Sequence, residues 1–261
     1  MRSNRLQLNV DKTEVMWCAS TRKLSQLPNS PLIVAGVSVD PVTVVRDLGV
    51  YMDNDLGAAT HVRTTVSCCF AALRQLRHLR RYVTDDCLQS LVVSLIHSQL
   101  DFGNFVLYCL PVHLQRRLQT ELNAAARMVF RMRRHNHITD ALATLHWLCI
   151  PERIDFKVDV IAYRVLHGLA PPYLEDLVRL ADLPGRRRLR SSTTMSLHVP
   201  AHRLSTSGRR SFSVAAPTTW NSLPADVQSS PSLPLFRQRL KTYPSPMLFC
   251  FSSLSALLWS S

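Results

Sequence analysis

The stretch "VRDLGVYMDNDLGAATHV" at residues 45–62 decides how the chain is read. Up to Gly57 the apolar residues come in short runs, "VMWCA", "PLIVAGVSV" and "VTVVRDLGVYM", separated by the turn-forming "LPNSP" and "VDP". Runs rich in Val, Ile and aromatic residues between such turns are strands, and they predict a small sheet of about three. After Gly57 the spacing changes. Val62, Val66, Phe70, Leu73 and Leu76 recur at three- and four-residue intervals, the period of a helix with one apolar face. At about 100° per residue, Arg63, Arg74 and Arg81 fall within about 20° of one another beside that stripe. One helix therefore packs on a core and turns a row of arginines outward.

More helices follow. Thr84 before Asp85 and Asp86 is a helix start, because the hydroxyl caps free amides and the carboxylates favour the positive end of the dipole. The helix that follows carries Leu88, Leu91, Leu95 and Ile96. Pro111 opens the next helix, with Leu114, Leu118, Leu122, Ala125 and Val129 as its apolar face and "RMRRHNH" placing cations at its end. "TDALATLHWL" and the segment from Pro151 to His167, striped by Ile154, Val158, Ile161 and Val165 and stopped by Gly168, Pro171 and Pro172, complete a bundle of about five helices. Beyond Leu180 the composition shifts to Arg, Ser, Thr and Pro, with "GRRRLRSS" and "GRRS" runs, which predicts loosely ordered segments joined to short elements. Trp220, Leu223, Val227, Leu235, Phe236 and Leu240 form a pattern that anchors a final short helix. The expected class is α+β: a β-rich segment at 1–57, a helical domain at 58–169, an Arg/Ser/Pro-rich segment at 170–243, and an atypical apolar tail at 244–261.

The 261 residues carry 31 Lys and Arg against 18 Asp and Glu, a formal charge of +13. Such a surplus gathers phosphate-bearing partners, and arginine, which dominates it, has the fork geometry that suits phosphate oxygens. A hydrophobic fraction of 46% is enough for a core and excludes a chain disordered throughout. Seven cysteines at irregular spacing, without a secretory signal, read as free thiols and place the protein inside the cell, in nucleus or cytoplasm. The most apolar run, "MLFCFSSLSALLW" at 247–259, is 13 residues long, and a membrane-spanning helix needs about 20.

Several chemistries are weak on this sequence. "HNH" at 135–137 is a contiguous tripeptide, whereas the nuclease constellation spreads its histidines over a ββα unit. His146 and Cys149 are an i, i+3 pair with no second pair to complete a zinc site, and the adjacent Cys68 and Cys69 point about 100° apart on a helix. No G-x-S-x-G elbow and no glycine-rich phosphate loop is present among only seven glycines.

Three stretches in order, "SNRLQLNVDKTEVMW" (3–17), "VRDLGVYMDNDLGAATHV" (45–62) and "APPYLEDLV" through "RRSFSVAAPTTWNSLPADVQSSPSLPLFRQRLKTY" (170–243), resemble the C-terminal part of the reverse transcriptases of non-LTR (LINE-type) retrotransposons. The resemblance covers nearly the whole chain up to Tyr243. It implies that "YMDND" at 51–55 is not the Tyr-x-Asp-Asp hairpin that holds catalytic magnesium, because in that family the hairpin precedes the "LNxxKTE" segment. The residues agree. A two-metal site needs carboxylates converging from neighbouring strands, and upstream of Asp53 and Asp55 only Asp11, Glu14, Asp40 and Asp47 exist.

By resemblance, residues 1–57 are the end of a palm and the following helices a thumb, the element that grips the backbone of a template–product duplex. Lys12 matches the family's "KTE" lysine, near the incoming nucleotide's phosphates in the intact enzymes. The expected nucleic-acid-binding residues are Lys12, Arg63, Arg74, Arg77, Arg81, Arg131, Arg133 and Arg134, with no catalytic and no metal-binding residue. The expected partners are RNA, DNA or an RNA–DNA hybrid, held through phosphates without sequence preference, in a retrotransposon ribonucleoprotein and not at a membrane. No cofactor is expected, the Mg2+ of the intact family having lost its ligands. Two alternatives stay open: a polymerase part completed by a separate fingers and palm chain, and a product without function.

Overall fold

The computed structural model describes residues 9, 12–24, 26–28, 30–34, 36–178, 196–202 and 207–243. The "GRRRLRSS" run, most of the segment before Lys12, and the tail from 244 onward, including its apolar run, lie outside the described residues. The chain divides into two compact units, Met1–Ser67 and Cys68–Ser261. The sequence places the change ten residues earlier, at Gly57, where strand spacing gives way to helix spacing. The long helix that follows runs through the boundary.

Among its described residues the first unit holds a helical turn, α1 (Thr21–Leu24), four short strands and the start of the long helix. β1 (Leu32–Val34) pairs antiparallel with β2 (Val37–Val39), and β3 (Val44–Asp47) with β4 (Val50–Asp53). The expected sheet of three strands is thus two separate hairpins, and "VMWCA" contributes only an isolated bridge from Val15 to Pro41. Turn chemistry explains the outcome. Each hairpin closes on a tight turn with a glycine at positive φ, Gly36 in the first and Gly49 in the second, which pairs each strand with its neighbour in sequence. In the second hairpin Leu48 also sits at φ 46°, giving both central residues the left-handed geometry of a two-residue turn. Arg46 lies opposite Tyr51 with its guanidinium 5.5 Å from the ring centre, a cross-strand cation–π pair.

The helices begin with α2 (Ala59–Leu79), followed by α3 (Asp85–Val92). Thr84 caps α3 as its sequence predicts, its hydroxyl accepting the Cys87 N–H at 3.3 Å. The helix then passes into a π-helical turn at Val93–His97 before resuming as α4 (Ser98–Asp101). Leu88, Val92, Ile96 and Leu100 are all buried, four residues apart, because the wider π turn absorbs the drift that a 3.6-residue helix would accumulate. Leu95, within the π turn, is exposed.

A short 3₁₀ turn (Asn104–Leu107) leads to α5 (Val112–Val129), α6 (Thr139–Thr144) and α7 (Ile150–Leu166). Pro111 stands at the N-cap of α5, and Leu114, Leu118, Leu122 and Ala125 are buried along it, whereas Val129 at its end is half-buried. Gly168 ends α7 at φ 65°, where the Leu169 N–H reaches back to the Arg164 carbonyl at 2.7 Å. After a second 3₁₀ turn (Pro172–Leu177) come α8 (Ser207–Arg210), α9 (Phe212–Ser222), α10 (Ala225–Gln228) and α11 (Leu233–Thr242).

The last helices are bound to α7 by an aromatic core. Val158, Tyr163, Trp220, Leu223, Val227, Phe236 and Leu240 share one buried cluster, with Tyr163 stacked on Phe236 at 4.5 Å between ring centres. The Tyr163 hydroxyl donates to the Ser230 carbonyl at 2.9 Å, so the ring's polar end is satisfied inside the core. The architecture is α+β: among the described residues helices predominate and the strands form two short antiparallel hairpins. Among the described residues no helix is long and apolar enough to cross a membrane.

Candidate nucleic-acid interface

The carboxylates of "YMDND" are engaged locally. Asp53 ends β4, and its Oδ2 accepts the Thr60 N–H at 3.1 Å, one of the free amides at the start of α2. Asp55 Oδ1 accepts the Gly57 N–H at 2.7 Å, closing a side-chain turn between strand and helix. Both aspartates thus direct the chain from the hairpin into α2. Among the described residues no group of three or more His, Cys, Asp or Glu side chains is placed to hold a metal ion. His146 and Cys149 do not come together as a site: His146 is exposed at positive φ, and Cys149 caps α7 through a reciprocal bond with Glu152. His135 and His137 stand exposed in the loop before α6.

The apolar face of α2 differs in phase from the sequence reading. Val62, Thr65, Cys69, Leu73 and Leu76 are buried, whereas Val66 is half-buried and Phe70 is exposed. Both sets fit a helical period, and the inner one uses the small Thr65 and Cys69 where the sequence reading selected the larger Val66 and Phe70. Burial pushes the Cys69 thiol up to about 12, with the Glu121 carboxylate of α5 and the neighbouring Cys68 adding to the rise. Glu121 is itself raised by burial. These two groups mark the side of α2 that faces the helical core.

The exposed arc carries the cations. Arg74 and Arg77 are exposed on α2, and Arg81 is exposed in the turn just beyond it. Among the described residues none of the three has an ion-pair or hydrogen-bond partner. Arg63 belongs to the first unit, where its Nη2 donates to Thr60 Oγ1 at 3.4 Å. Lys12, also in the first unit, is exposed in a short turn.

The cations after α5 are not equivalent. Arg131, at φ 56°, pairs with Asp85 at 3.1 Å, so part of its charge is already answered from α3. Arg133 and Arg134 are exposed in the following loop. The charge surplus is also unevenly spread along the chain. Residues 68–178 hold 13 Lys and Arg against 10 Asp and Glu, whereas residues 179–261 hold 11 against 2. Of that last set Arg209, Arg237 and Lys241 are described and exposed. Counting charge by segment identifies these cations, which selection by helical periodicity passes over.

A second polar cluster sits where the π turn faces α7. Arg153 forms a two-point bond with Asp101, Nε to Oδ1 at 2.9 Å and Nη2 to Oδ2 at 2.8 Å, and its Nη2 also lies 3.3 Å from His97 Nδ1. Trp147 meets the His97 ring edge-on at 4.2 Å. Burial, and then the Arg153 charge, push His97 down to about 4, so the imidazole is neutral at physiological pH. On the other side of α7, burial raises Asp159 to about 7 against a weaker opposing hydrogen bond from Thr219 of α9, with Asp155 adding to the rise. Asp155 is itself raised to about 6 by burial, with Glu152 adding to it. The thiol of Cys149 is pushed up to about 11 by burial and then by Glu152, the reverse of what an activated nucleophile requires. These buried groups join helices. The free charge lies on the exposed faces.

Comparison of the chain with protein-family models, with curated proteins and with solved structures finds no match.

Proposed function

We propose that this chain is related to the C-terminal part of LINE-type reverse transcriptases and binds RNA or an RNA–DNA hybrid through its phosphates, without sequence preference. The observation that carries the reading is the pair Arg74 and Arg77, exposed on α2 with no acidic partner among the described residues. The ordered motifs from "LNVDKTE" to "FRQRLKTY" support the kinship, and Asp53 and Asp55 are engaged in local hydrogen bonds at the start of α2.

Guanidinium contacts of this kind displace counterions condensed on the nucleic acid and read no base edges. The test is a titration of the full chain with two unrelated labelled RNA sequences and the matching hybrids. A primer-extension assay with Mg2+ and nucleotides runs beside it. The expected result is equal affinity for the two sequences and no extension. Extension by the purified chain, or a strong preference for one sequence, overturns the reading.

A further inference from the structure

Phe70 stands 62% exposed on α2, a large apolar side chain that the core does not take up. At about 100° per residue it lies within about 40° of Arg74 and about 20° of Arg77, on the same side of the helix. Arg74 follows it by one helical turn, about 6 Å along the axis, and Arg77 by two. Just past the helix end, Arg81 is followed by Tyr82, which is 85% exposed. The segment from 70 to 82 therefore carries three exposed arginines between two exposed aromatic rings. Of the other exposed aromatics, Phe102 follows Asp101, Tyr173 precedes Glu175 and Asp176, and Phe130 adjoins Arg131, whose charge Asp85 already answers.

A ring beside a row of cations meets two parts of a nucleic acid at once. The arginines neutralise phosphates of either a single strand or a duplex. The ring gains only from an unpaired base, because bases inside a duplex already cover both faces of one another and must be unstacked before a side chain can replace a neighbour. From this geometry we infer that Phe70 is a stacking platform for an unpaired base, with Tyr82 as a second ring, and that the solvent face of α2 selects single-stranded nucleic acid over duplex. The inference rests on the phosphate-binding reading above and adds to it the strand state of the partner.

The test uses the full chain and two probes of equal length, a labelled oligo(U) and a blunt RNA–DNA hybrid, with folding of each variant checked by circular dichroism. Phe70→Ala is expected to weaken oligo(U) binding about tenfold and to leave hybrid binding unchanged, given the usual worth of one stacked base. Phe70→Trp is expected to retain oligo(U) affinity and to add an indole emission that oligo(U) quenches, a signature of stacking that charge alone does not give. The double variant Arg74→Ala with Arg77→Ala separates the two claims. If it weakens both probes while Phe70→Ala changes neither, the stacking inference falls and the phosphate-binding reading stands. If neither probe binds the wild-type chain, or the double variant changes neither, both fall.

Discussion

The Asp53 carboxylate accepts the main-chain N–H of Thr60 at 3.1 Å, joining the last strand of the second hairpin to the first turn of α2. The residue that most resembles part of a catalytic motif is therefore a helix-capping acceptor. Removing it should cost about 1 kcal/mol, the usual worth of such a cap. Asp53→Ala is expected to lower the denaturation midpoint and Asp53→Asn to restore most of the loss, since Asn caps about as well. Equal midpoints for wild type and Asp53→Ala contradict this role.

Acid should weaken the fold through His97. Folded, its pKa is about 4; unfolded, it returns to the ordinary 6.5. Between those values the unfolded chain binds the extra proton, so stability falls as pH drops from about 6.5 to about 4, by at most about 3 kcal/mol. The slope of unfolding free energy over that window should flatten in His97→Gln, whatever the change in its absolute level. An unchanged slope shows that the imidazole is not held neutral.

Asp159 has the opposite sign. Its folded pKa of about 7 lies above the ordinary 3.8, so the folded chain holds the extra proton and stability falls as pH rises from about 4 to about 7, by at most about 4 kcal/mol. Asp159→Asn keeps the shape and removes the buried charge. It should gain stability relative to wild type most clearly above pH ~7, measured by denaturation at two pH values. A variant that tracks wild type at both is incompatible with a carboxyl buried against α9.

The aromatic core should be costly to disturb. Tyr163→Phe removes the 2.9 Å bond to the Ser230 carbonyl and leaves that buried acceptor unpaired, for about 1 to 3 kcal/mol. Trp220→Ala opens a cavity between α7, α9 and α11 and should cost about 3 to 5 kcal/mol. Calorimetry that found Trp220→Ala harmless would show that the last helices do not dock on α7.

Leu48 is 90% exposed at φ 46°, where a side chain branched beyond Cβ gains nothing from packing and Asn or Gly is at ease. Leu48→Asn should stabilise the hairpin by about 0.5 to 1 kcal/mol, read as a higher melting midpoint. A lower midpoint would mean that the leucine is held by contacts that an exposed turn residue lacks.

Local chemistry was legible in the sequence wherever one residue type decides the backbone. Thr84 capping α3, Pro111 opening α5 and Gly168 closing α7 belong to this group, and of the packing set from Trp220 to Leu240 all but the half-buried Leu235 enter the core. Phase was less legible. Choosing Val66 and Phe70 over Thr65 and Cys69 moves a helix face by one residue, and only the packed structure shows that the smaller pair turns inward. The π turn that exposes Leu95 leaves no composition signal, because it records where His97 and Ile96 must both be buried. Arg131 shows the limit for the candidate interface. Its partner Asp85 lies 46 residues away, a distance over which periodicity says nothing.

The central claim is that the free arginines of α2 and its following turn hold phosphates, and its most direct measurement is the salt dependence of binding. The logarithm of affinity for RNA should fall linearly with the logarithm of salt, and each phosphate contact contributes about 0.7 to 0.9 to the slope. Arg74→Ala, Arg77→Ala and Arg81→Ala combined should therefore reduce the slope by about 2 to 3 and weaken binding at low salt. A slope identical to wild type in that triple variant would contradict the claim and assign binding to other cations.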